Sequence, residues 1–123
     1  IGNNLPNNIQ FRKDDISDSL IKSNIVITGM SSVALESLAL GLNVIIIESC
    51  SGLSYNSIPE DIPKDLWHLC HKSRDFQTAI QYFHKKDENI RNDNRNVYSE
   101  IKEKYFMPVT KKSVRKFLML GLP

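Results

Sequence analysis

The sequence predicts a single α/β domain, with a small parallel sheet in a three-layer arrangement and a helical C-terminal tail over residues 107–123. Two observations carry this reading. Residues 24–28 (Asn-Ile-Val-Ile-Thr) and 43–47 (Asn-Val-Ile-Ile-Ile) are short, apolar, β-branched runs, the pattern of strands buried on both faces of a parallel sheet. Between them, residues 33–40 and the next turn place Leu35, Leu38, Ala39 and Leu42 at helical spacing. Two such strands joined by one short helix form a βαβ unit, whose crossover is expected to be right-handed.

The remaining elements follow in chain order. Residues 1–8 are rich in Asn and read as an irregular lead-in, with a short strand expected at 9–11. Asp14 or Asp15 suits the cap of a helix running to Lys22, with Ile16, Leu20 and Ile21 on its inner face. After the first strand, Gly29 ends the run and Ser31 or Ser32 caps the helix; Gly41 stops that helix, as glycine commonly does just past a C-terminus. Residues 49–64 carry Ser, Gly, Asn, Pro59 and Pro63 and read as a long loop. Residues 66–70 predict a third strand. Asp75 opens a helix with Phe76, Ala79, Ile80 and Phe83 inward, residues 87–95 form a polar link or a helix start, and 97–105 a helix that Pro108 breaks. Residues 111–120 predict a last, basic amphipathic helix.

Bulk properties narrow the function classes. The 123 residues hold one domain, spanning 1–123, and no second of ordinary size. A hydrophobic content of 41% and a charged content of 24% are ordinary for globular chains and argue against disorder. A net charge of +2 is too weak to imply a nucleic-acid partner. Cys50 and Cys70 are the only cysteines; two thiols make no disulfide framework and fit a reducing cytoplasm. No apolar run approaches the roughly 20 residues that span a bilayer, and no signal peptide is expected. Because the chain begins at Ile1, it is expected to be part of a longer protein, with processing as the alternative.

The chemistry is expected at the first strand–helix turn. In open α/β sheets ligands bind beyond the carboxyl ends of the strands, and Gly29, Met30, Ser31 and Ser32 lie at such an end. A helix N-terminus offers unpaired N–H groups and partial positive charge, both suited to phosphate. Gly29 permits close approach to the backbone, and Ser31 and Ser32 add hydroxyl donors. Ser is also among the best helix caps, so an ordinary cap accounts for the same residues. Glu36 adds weight to the ligand reading. If Ser32 is the cap, the capping-box position falls on Leu35, and Glu36 shares a helix face with Ser32. A carboxylate on an otherwise apolar helix needs water or a partner, and ribose hydroxyls are a natural one. The alternative is a Glu that only favours the N-terminal dipole.

Residues 23–41, Ser-Asn-Ile-Val-Ile-Thr-Gly-Met-Ser-Ser-Val-Ala-Leu-Glu-Ser-Leu-Ala-Leu-Gly, resemble the C-terminal, donor-binding half of GT-B glycosyltransferases. The resemblance is to bacterial enzymes of capsule, lipopolysaccharide and other surface-polysaccharide biosynthesis, and it extends to Glu48. It departs from the family pattern at Asn24, where an Asp is usual, and at Leu42-Asn43, where a Pro is usual; neither position is a proposed contact. The resemblance implies a Rossmann-like domain that binds a nucleotide-diphosphate sugar as substrate, without a cofactor and without a metal. It implies phosphate contacts at Ser31 and Ser32 and a ribose contact at Glu36. It further implies an N-terminal acceptor-binding half as partner, carrying the catalytic base, so that this part alone is not expected to be active. The leaving diphosphate would be stabilised by the helix dipole and nearby donors. A related motif occurs in sugar-nucleotide 2-epimerases and in the glycerophosphate polymerases of teichoic-acid synthesis, so both remain alternatives, as does a Rossmann-like module without a nucleotide.

Three further features are weighed against plainer readings. His68, Cys70 and His71 are close in sequence, yet a fourth zinc ligand is not evident and packing is the expected role. Ser51, Gly52 and Tyr55, beyond the second strand, are candidates to line the donor pocket; an ordinary loop is the alternative. Lys102, Lys104, Lys111, Lys112, Arg115 and Lys116 make the C-terminus basic, which fits a solvated helix face or peripheral contact with anionic lipid at the inner face of a membrane; the resemblance also implies a tail that packs back on the N-terminal half.

Overall fold

The computed structural model describes residues 5–49, 51, 56–86 and 94–119. The chain is mixed α/β, built on an open three-stranded parallel sheet. Its elements are α1 (Ile16–Ile21), β1 (Ile25–Thr28), α2 (Ser32–Ala39), β2 (Asn43–Ile47), β3 (Trp67–Cys70), α3 (Ser73–Lys85), α4 (Arg95–Tyr105) and α5 (Lys111–Phe117). The strands lie in the order β1-β2-β3, with Thr28 opposite Ile46 and Ile47 opposite Cys70.

The period of two along a strand sorts the core into two layers. Val44 and Ile46 of β2 and Trp67 of β3 pack with Ala34 and Leu38 of α2 and with Tyr98 and Ile101 of α4. Ile45 and Cys70 point the other way and pack with Ala79 and Phe83 of α3. Central β2 is therefore apolar at Val44, Ile45 and Ile46 because both its faces are covered there. The connection from β2 to β3 joins the first layer through Ile58, Ile62 and Leu66, all buried. Lys86, whose Nζ donates to the carbonyl oxygen of Asp65 at 2.9 Å, ties the end of α3 to the turn before β3.

Gly41 ends α2 at φ +78, with its N–H donating to the carbonyl of Leu38 and that of Leu42 to Ser37, both at 3.0 Å. This is the double bond of a Schellman end, which needs a left-handed residue. A Cβ at Gly41 would also meet the Tyr98 ring at 3.3 Å. Gly41→Ala is expected to destabilise the domain by about 1 kcal/mol or more, read as a lower urea midpoint. An unchanged midpoint would show that neither the backbone conformation nor the ring contact matters.

The strand and helix order matches the sequence reading, and several faces do not. Residues 9–11 form no strand and are exposed. In α1 only Leu20 is buried, against Val26 and Leu42, while Ile16 and Ile21 are exposed. β1 was expected to be covered on both faces, yet Ile27 is 48% exposed. Among the described residues β1 is an edge strand, and α3 packs on β2 and β3 instead. α3 starts at Ser73 rather than Asp75, α4 at Arg95 rather than Val97, and α5 ends at Phe117 rather than 120. The polar link at 87–95 lies largely outside the described residues. No helix among the described residues is long and apolar enough to cross a membrane.

Candidate functional site at the carboxyl edge of the sheet

The parallel sheet puts the ends of all three strands on one edge. β1 leads there into the turn of Gly29, Met30, Ser31 and Ser32. Ser31, not Ser32, is the N-cap of α2: its backbone is extended, and its hydroxyl accepts the N–H of Val33 at 3.3 Å. The Ser31 carbonyl accepts from Ala34 at 3.1 Å. The N–H of Ser32 is then left without an acceptor among the described residues, and Ser32 itself is exposed. Gly29 is exposed too, and a Cβ built there would have nothing within 4 Å. Met30 differs from its neighbours in that its side chain packs against the core layer of α2, so it anchors the turn and only its backbone is offered at the edge.

Glu36 is half-buried one turn along α2 from Ser32. Its carboxylate makes no hydrogen bond or ion pair among the described residues. With Ser31 as cap, the capping-box position is Ala34, so Glu36 has no capping role. The sequence brought Gly29, Ser32 and Glu36 together by local spacing alone, and the structure keeps them on one end of one helix.

Other contacts of this edge escaped the sequence reading. Ser57 donates to the Ser31 carbonyl at 3.2 Å across 26 positions, so the β2–β3 connection braces the turn. Glu48 and His71, which follow β2 and β3, meet through a carboxylate oxygen and Nδ1. Glu48 N–H donates to the Cys70 carbonyl at 3.0 Å, extending the β2–β3 pairing to bring the pair together. Asp75 accepts the N–H groups of His71 and Lys72, each at 3.0 Å. Those two bonds, foremost the one from His71, hold the Asp75 carboxyl below its ordinary value. A cleft of about 310 Å³ opens here, lined among others by Ile47, Glu48, His71, Ser73 and Phe76. Neither Gly29, Met30, Ser31, Ser32 nor Glu36 lines that cleft.

Two helices thus begin at this edge with opposite electrostatics. The positive end of α3 is met by its own carboxylate, Asp75. The first turn of α2 has no acidic residue. Ser51 is exposed, with its N–H and hydroxyl both in bonds to the Ser49 hydroxyl, and no described contact joins it to the α2 turn. Gly52 and Tyr55 lie outside the described residues.

His68 and Cys70 share the α3 face, as their spacing requires. His68 packs edge-on to Tyr82 and Phe83 with ring centroids 5.0 Å away. Burial foremost, and then Lys86, pushes its imidazole below the ordinary histidine value. Burial, then Asp75, pushes the Cys70 thiol up. Both are therefore packing residues carried in the neutral form. A histidine whose folded pKa is depressed adds no pH-dependence above its unfolded pKa. It costs stability as pH falls through the window between the unfolded and folded values, because the unfolded chain binds the proton more readily. In a proton NMR titration His68 is expected to titrate below about 6.5; a midpoint above that would mean the ring is solvated.

Comparison with protein-family models, with curated proteins and with solved structures finds no match to this chain.

Proposed function

We propose that this chain is the donor-binding half of a GT-B glycosyltransferase, a Rossmann-like domain that takes a nucleotide-diphosphate sugar at the N-terminus of α2. The observation that carries the reading is the state of that helix end. The end is open at Gly29, offers the Ser32 N–H, and has no carboxylate in its first turn. An anion there meets N–H donors and the positive end of the helix dipole together. Glu36, one turn along and without a protein partner among the described residues, suits two ribose hydroxyls, for which an ionised carboxylate is a strong acceptor.

In this reading the diphosphate lies over Gly29 to Ser32. The bond from the sugar anomeric carbon to the diphosphate oxygen breaks, and negative charge grows on that oxygen. The fixed donors of α2 stabilise the charge without reorganising. The acceptor and the base that receives its proton belong to the N-terminal half implied by the resemblance. A contact at the inner face of a membrane would suit the assembly of a surface polysaccharide. Glu48, after β2, and His71, after β3, lie one and two strands from β1, roughly 5 and 10 Å across the sheet at the usual strand spacing, within the span of a nucleotide sugar.

The test is an NMR titration of the chain with UDP, CDP, GDP, ADP and CMP. Saturable shifts at Gly29, Ser32 and Glu36 with one nucleotide are expected, and would identify its base. A folded chain whose spectrum is unmoved by the whole panel would overturn the reading for this domain.

A further inference from the structure

The C-terminal segment from Met107 to Met119 is specified locally and left open. Thr110 caps α5 by accepting the Ser113 N–H at 3.0 Å, and its own N–H donates to the Ser113 hydroxyl at 2.8 Å. No residue of α5 is buried. Val109 is 92% exposed, Phe117 85% and Met119 91%. Met107, Val109, Ser113, Val114, Phe117 and Leu118 line one shallow, largely apolar depression. At about 100° per residue, Lys111, Arg115, Lys112 and Lys116 fall within one arc of about 140°, and Ser113, Phe117, Val114 and Leu118 within the opposite one. Residues 104–123 contain no Asp or Glu.

A surface that is apolar on one side, cationic on the other and free of acid matches the boundary of an anionic bilayer. There the apolar side chains enter the acyl region and the cations meet lipid phosphates. A second protein surface would have to supply both a hydrophobic groove and a matching acidic rim, whereas an anionic bilayer presents both layers everywhere along its plane. We infer that the segment 107–119 is an interfacial anchor for anionic lipid, with Phe117, Val114 and Leu118 as its inserting face. This inference is independent of the donor site, which lies on α2. A helix of seven residues is marginal in water, so its helicity is expected to rise on the membrane.

The test is co-sedimentation of the full chain with vesicles of phosphatidylcholine alone and of phosphatidylcholine mixed with phosphatidylglycerol. Binding is expected to the mixed vesicles, to fall with added salt, and to be weak on phosphatidylcholine alone. Lys112→Gln with Lys116→Gln is expected to weaken it about 25-fold, at roughly fivefold per cation. Phe117→Ser is expected to weaken it roughly tenfold or more. Because α5 buries no side chain, all these variants are expected to keep the parent melting temperature. Equal binding to both vesicle types, or unchanged binding by Phe117→Ser, would overturn the inference. So would a dimer in solution that Phe117→Ser dissolves, since a second copy would then cover this face.

Discussion

Leu38→Ala is expected to cost the domain about 2–5 kcal/mol of unfolding free energy, the range for deleting a fully buried Leu side chain. Leu38 is completely buried in α2, in the layer that also holds Val44, Ile46 and Trp67. This layer joins α2, α4, the sheet and the β2–β3 connection, so the lost side chain is felt by all four. Against a total stability of about 5–15 kcal/mol, such a loss is large enough to unfold part of the population. Leu40, two positions along and 52% exposed, provides the contrast: Leu40→Ala is expected within about 0.5 kcal/mol of the parent. Guanidinium unfolding of both variants decides the matter. Similar, small losses for the two would mean that α2 does not pack on the sheet through Leu38.

Glu36→Gln is expected to weaken nucleotide binding roughly 10- to 100-fold while leaving stability nearly unchanged. The affinity figure follows from losing hydrogen bonds to a charged acceptor, about 1.5–3 kcal/mol. The stability expectation follows from the carboxylate having no protein partner among the described residues, so its neutralisation breaks nothing within the fold. Calorimetric titration with the nucleotide selected by the NMR panel, alongside a melting curve, separates the two effects. A variant that binds as tightly as the parent would remove Glu36 from the ribose role while leaving the phosphate turn standing. A variant that loses stability and affinity together would make Glu36 a structural residue.

Local pattern determined a good deal of this protein. The three strands, the helix between the first two, and the inward face of α3 at Phe76, Ala79, Ile80 and Phe83 are all legible as periodicity. The reason is physical: a side chain's direction repeats every two residues in a strand and every 3.6 in a helix, whatever the rest of the chain does. The same is true of Gly29, Ser31, Ser32 and Glu36, which sit on one short stretch whose spacing alone sets their proximity. The choice of Ser31 over Ser32 as cap was not legible, because two adjacent serines compete for one position and the backbone decides between them.

Tertiary structure decided what periodicity cannot carry. An apolar face implies a neighbour without saying whether one is present, so Ile16, Ile21 and Ile27 read as core and are exposed. Pairings across long separations depend on the register of the parallel sheet. That register brings Glu48 to His71 across 23 positions. The route of the β2–β3 connection likewise brings Ser57 to Ser31. The capture of the α3 helix end by Asp75, in contrast, spans only three and four positions and belongs to local pattern. Sequence alone thus determined which residues form the α2 turn and which helix start carries its own carboxylate, and tertiary structure decided what stands beside that turn, because Ser57 and His71 reach their partners only through the path of the chain and the register of the sheet.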